Sequence, residues 1–166
     1  KTGYEAVHGD MVSVAVRAQT LKDALLAAVD EDTEAFNKVM EAFRLPKTTP
    51  EQAEEKDRAV EAANREATLV PLRVLEMAVE AIGLARTAAA KGNRNSVSDA
   101  GVAGLAAQAA GEGAHYNVLI NLAGIKDAAF AGRVRRQAAR LRRTLDKEAK
   151  AVRAILARAL AGPAAG

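Results

Sequence analysis

Apolar residues recur at steps of three and four along most of the chain, the spacing of helices that bury one face. Met11, Val14, Ala18, Leu21, Leu25 and Ala28 mark the first such face and predict a helix from about Tyr4 to Val29. The acidic run Asp30-Glu31-Asp32-Thr33-Glu34 interrupts that pattern. Carboxylates favour the positive end of a helix, so the run reads as the start of a second helix, with Ala35, Phe36, Val39, Met40 and Phe43 on one side as far as Arg44. Leu45 to Pro50 is the clearest loop, with Thr49 placed to cap the next helix and Pro50 at its first position. That helix is charged from Glu51 to Arg58 and apolar towards Val70. Pro71 then predicts a kink or break, because no turn-forming cluster surrounds it.

Leu75, Val79, Ile82 and Ala85 mark a further helix from Leu72 to Lys91, with Gly92 expected as a left-handed cap. Asn93 to Ser98 is a polar turn, and Ser98-Asp99 opens an Ala/Gly-rich helix to about Leu122. Gly101, Gly104, Gly111 and Gly113 each weaken that helix by up to about 1 kcal/mol relative to Ala. Close helix packing, or close backbone approach to a ligand, would account for them. After a turn at Gly124–Asp127, the positions Val134, Ala138, Leu141, Leu145, Glu148, Val152, Ile155 and Ala159 form a heptad-like seam broken only by Glu148. Gly162 to Gly166 reads as a frayed end, and no solenoid-type repeat is found.

Composition agrees with an all-α fold, a bundle of long amphipathic helices. Hydrophobic residues make up 49% of the chain but aromatics only 3%, so much of the apolar share is alanine. The length, 166 residues, suits one domain. There is no Cys, and His8 and His115 lie far apart, which argues against a zinc site. No apolar run reaches the roughly 18 residues of a membrane span. No secretory leader is visible, and a cytoplasmic location is expected; the chain starts at Lys1 without Met, as it would after removal of a preceding segment. With 24 basic and 21 acidic residues the charge is nearly balanced, which suits an anionic small molecule as well as a nucleic acid. The arginines at 133, 135, 136, 140, 142 and 143 lack the aromatics that often accompany single-strand binding, so they read as a solvated helix face and no nucleic-acid partner is expected.

Four stretches together carry a resemblance: Val29 to Phe36, Met40 to Lys47, Gly92 to Asp99, and Gly113 to Leu122. In this order they resemble the formimidoyltetrahydrofolate cyclodeaminase family, which includes bacterial methenyltetrahydrofolate cyclohydrolases. The likeness runs from about Tyr4 into the last helix. It differs at Arg94, where the family has Pro in an Asn-Pro-Asn-Ser turn, and at the start, where a Gly-rich loop and a first apolar helix would precede Lys1. Residues 1–166 are therefore expected to form a single cyclodeaminase-like domain without that loop and helix.

The resemblance implies an all-α homodimer that binds folate beside the dimer interface and needs no metal or redox cofactor. It implies cyclisation of 5-formiminotetrahydrofolate to 5,10-methenyltetrahydrofolate with loss of ammonia, aided by a fused or partner formiminotransferase. The cyclohydrolase reaction and a non-catalytic helical dimer are the alternatives. Asp32 falls where the family's proposed catalytic Asp sits, to shuttle a proton between the attacking and departing nitrogens; its other reading is a helix cap. Asp99 either caps a helix or faces the pterin. Asn117 and Asn121, one helical turn apart, either bind the pterin edge or tie helices together. Arg44 and Lys47 either attract the glutamate tail or are solvated loop charges. His115 and Tyr116 read as structural.

Overall fold

Four long helices account for most of residues 3–161, the part of the chain that the computed structural model describes. They are α1 (His8–Arg44), α2 (Pro50–Lys91), α3 (Val97–Leu122) and α4 (Ala128–Leu160), with short 3-10 turns at Glu5–Val7 and Arg94–Ser96. The terminal residues expected to fray, Gly162 to Gly166, lie outside the described residues.

The first helix is continuous, against the expectation of a break at Asp30–Glu34. Its buried positions, Leu21, Ala28, Ala35 and Ala42, fall seven apart and pass straight through the acidic run. The carboxylates point outward, where water solvates them and no cap is needed. Asp32 is therefore an exposed mid-helix residue and caps nothing. The ion pairs Asp10–Lys91, Arg17–Glu80, Glu31–Arg73 and Lys38–Glu66 bind α1 antiparallel to α2.

The loop after α1 forms as its residues dictate. Thr49 accepts a bond from the Gln52 amide, Gln52 reaches back to the Thr49 amide, and Pro50 occupies the first turn, completing a capping box. Lys56 donates to the carbonyls of Phe43 and Leu45 at 2.6 and 2.8 Å and closes the end of α1. The second helix then runs unbroken through the buried Pro71 to Lys91. Gly92 ends it in extended backbone, φ −75° and ψ −171°, and not in the expected left-handed conformation. Glycine is needed there for space: a Cβ would lie 2.4 Å from the Ala88 carbonyl oxygen.

The main core lies among α2, α3 and α4. Leu75, Ile82, Val118 and Leu145 are fully buried there, with Leu72, Phe130, Val134 and Val152 around them. Three of the four α3 glycines serve the α4 contact. Gly101 faces Leu156, Gly104 faces Val152, and Gly111 faces Leu145 and Ala78, so the helices approach closely in antiparallel order. The turn into α4 is pinned to α2: Glu61 accepts from the amides of Lys126 and Asp127, and Arg65 reaches Asp127 at 2.7 Å. Asp127 caps α4 by accepting from the amides of Ala129 and Phe130. Glu148, the break in the α4 seam, meets Arg86 at 2.9 Å. Among the described residues no helix is long and apolar enough to cross a membrane.

Candidate active site

Helices α1 and α3 both lie on α2 and leave a groove between them. A cleft of about 480 Å³ opens there, within the usual size range of ligand sites. Asp32 and Thr33 come from α1, Pro71 and Val74 from α2, and Gly113 and Asn117 from α3. Most of the remaining wall is alanine, leucine and valine. A carboxylate and an amide thus face a space with largely apolar walls, suited to a flat molecule with a polar edge. The Thr33 hydroxyl donates to the Val29 carbonyl of its own helix.

Along the same seam lies a second groove, also about 480 Å³, with Leu25 lining both. Its sides are alanine, leucine and valine, and Lys22 is its one charged side chain. It offers apolar contact but no carboxylate, unlike the Asp32 cleft.

Of the residues singled out from sequence, the cleft brings Asp32 and Asn117 together. Asn121 lies one turn further along α3, where its side-chain amide donates to the Ala67 carbonyl of α2 at 2.8 Å. Asp99 is exposed in the first turn of α3, roughly 27 Å along the helix from Asn117 at 1.5 Å per residue. The N-cap position there belongs to Ser96 and not to Asp99. Arg44 ends α1 and Lys47 lies in the loop beyond it, both exposed. Arg44 is roughly 18 Å along α1 from Asp32 by the same rise. His115 turns towards α4, where burial and then the nearby Arg142 hold its pKa below the ordinary value. Tyr116 is exposed.

Gly113 is the cleft residue whose role sequence alone left undivided. It differs from the other three glycines because no neighbouring atom would meet a Cβ there within 4 Å. Its position, two residues past Gly111, turns it away from the α4 stripe and towards the cleft. That offset was visible in the sequence.

The rims of the groove are unusually apolar. Leu26 and Val29 line its α1 side and are exposed, and Phe36 of α1 and Val102 and Ile120 of α3 are exposed elsewhere on the two helices. Across its 26 residues α3 carries two acidic side chains, Asp99 and Glu112, and no Lys or Arg. Exposed apolar side chains on a helix with so little charge form a surface of the kind that is normally covered.

The match to known proteins decides the family. The formiminotransferase-cyclodeaminase model matches residues 1–140 of this chain. The chain belongs to the formiminotransferase-cyclodeaminase family. Within it, a methenyltetrahydrofolate cyclohydrolase of Methylorubrum extorquens is 40% identical over 131 residues, 79% of this chain and 63% of that protein. A formimidoyltransferase-cyclodeaminase of Sus scrofa is 36% identical over 68% of this chain but 21% of its own length. The chain thus spans less than two thirds of the first relative and about a fifth of the second. The crystal structure of formiminotetrahydrofolate cyclodeaminase from Thermotoga maritima superposes with a TM-score of 0.85 at 25% identity, covering 96% of this chain and 76% of that one.

Proposed function

We propose that the chain acts on 5,10-methenyltetrahydrofolate in the α1/α3 cleft, as a methenyltetrahydrofolate cyclohydrolase. The carrying observation is the pairing of Asp32 and Asn117 across one apolar-walled cleft. The 40% identity to a cyclohydrolase over 79% of the chain puts this reaction first. The pterin slides between the alanine-rich walls, and Asn117 bonds its polar edge. The Asp32 carboxylate takes a proton from the water that adds to the methenyl carbon. It returns that proton to N5 as the carbon–N5 bond breaks, while the remaining hydroxyl proton leaves to solvent with the positive charge of the methenyl group, and 10-formyltetrahydrofolate forms. One carboxylate thus serves both proton transfers. No metal or redox step is needed. Arg44 at the end of α1 and Lys47 in the loop beyond it supply positive charge for the glutamate tail.

The second reading is the cyclodeaminase, favoured by the Thermotoga maritima relative. There N10 attacks the formimino carbon, Asp32 accepts its proton, and ammonia leaves with a proton from the same carboxyl. A formiminotransferase, fused or separate, would supply that substrate. In either case a second copy of the chain covers the apolar rims of α1 and α3 and closes the cleft.

Methenyltetrahydrofolate absorbance separates the readings. An accelerated fall from added methenyltetrahydrofolate, with no rise from formiminotetrahydrofolate, supports the cyclohydrolase. A rise from formiminotetrahydrofolate with ammonia released makes the chain a cyclodeaminase. No change in either cuvette overturns both.

A further inference from the structure

The bond from Asn121 to Ala67 has a cause four residues along α2. In an α-helix the carbonyl of residue 67 would accept from the amide of residue 71. Residue 71 is proline and has no N–H to give. The α2 ladder therefore leaves the Ala67 carbonyl free, beside the buried Thr68, Val70 and Leu72. Thr68 does not fill the gap, since its hydroxyl donates to the Asn64 carbonyl at 2.7 Å. The Nδ2 of Asn121 takes the free carbonyl at 2.8 Å. Among the described residues this is the one side-chain hydrogen bond between α2 and α3.

The rest of that seam is apolar, with Leu75 and Ile82 of α2 packed in one core with Val118 and Leu122 of α3. A single polar tie inside an apolar helix interface is a device for fixing register. Here the tie lies one turn beyond Asn117, on a helix whose Gly113 and Asn117 line the cleft. Pro71 itself is part of the cleft wall. The proline in the cleft wall is also the one that leaves the Ala67 carbonyl free for Asn121.

We propose that Asn121 is a positioning residue, which takes the carbonyl freed by Pro71 and so holds α3 with Asn117 facing the cleft. Its effect on turnover rests on the folate reading above; the pairing itself does not.

The test uses the full chain and three variants: Asn121→Ala, Pro71→Ala, and both together. Alanine at 71 restores the backbone N–H that Ala67 would otherwise lack. Two ligand-free readouts are taken, the denaturation midpoint and the side-chain amide resonances of Asn117. The expected result is that Asn121→Ala lowers the midpoint and moves those resonances. In the Pro71→Ala background the same change then does little to either. Equal effects of Asn121→Ala in both backgrounds would overturn the pairing. A rescued midpoint with Asn117 resonances that never moved would overturn the positioning role. Should Asn121→Ala alone fail to fold, a folded double variant supports the pairing and an unfolded one sinks it. In turnover, Asn121→Ala should raise KM about tenfold with a smaller change in kcat. Absence of turnover in the unaltered chain would sink the folate reading, while the midpoints and resonances would still judge the pair.

Discussion

Helix α1 and the α2–α4 unit are held by different forces. The α2–α4 unit shares a core of leucine, isoleucine, valine and phenylalanine, closed by glycines that let helices approach. Helix α1 buries one leucine and three alanines along 37 residues and adds half-exposed ion pairs to α2. Exposed pairs of this kind contribute about 0–1 kcal/mol each. The difference bears directly on the candidate cleft. The candidate cleft has Asp32 on the weakly held helix and Asn117 on the firmly held one. Its geometry therefore depends on how α1 is seated, and a second copy across the apolar rims would seat it.

The largest expected effect separates the two regions by mutation. Leu75→Ala empties a fully buried site and should cost about 2–5 kcal/mol in denaturant unfolding. Leu21→Ala, at the edge of an open groove, should cost clearly less. Equal costs would break the comparison.

Hydrogen exchange sharpens it next. Amides in the middle of α1 should exchange through local opening, well before those around Leu75, Val118 and Leu145. Matching protection in both regions would show α1 to be an integral part of the core. Adding salt to about 1 M should speed α1 exchange further, because its ion pairs are screened.

The smallest effect concerns acid. Backbone hydrogen bonds from Phe130 and Ala129 hold the Asp127 carboxyl below its ordinary pKa, with Arg65 and Arg133 adding to this. The Lys126 amide does the same for Glu61. A carboxylate with a lowered folded pKa contributes stability above its unfolded value, and loses it as pH falls through the folded value. The turn that pins α4 to α2 should therefore weaken on acidification. Asp127→Asn keeps a capping oxygen but removes the charge, so the acid dependence of the midpoint should flatten. An unchanged slope would remove Asp127 as its source.

Much of the helical scheme was legible before any coordinates. Thr49 and Pro50 carry their cap roles in their residue types, whereas Asp127 reads only as part of a turn. The seam from Val134 to Val152 is written in its spacing. The charge density at Asp30–Glu34 resembles a helix start, whereas the seven-residue alanine stripe beneath it decides continuity. At Gly92 the sequence does not separate left-handed backbone from a need for space, because both demands select glycine. At the site, Asn117 and Asn121 look equivalent in sequence. They differ because one faces the cleft and the other faces a carbonyl left free by a proline 50 residues earlier. Nothing local encodes that. Nor could spacing place Asp99 outside the cleft, since that depends on where along α3 the acidic stretch of α1 crosses.

The most direct test is Asp32→Asn, with folate binding and turnover measured on the same sample. Asp32 is exposed and in mid-helix, so the fold and binding should survive the change. The account predicts near-normal binding of methenyltetrahydrofolate and turnover reduced by about 10²–10⁴-fold. Near-normal turnover in that variant would contradict it and take the chemistry away from this cleft.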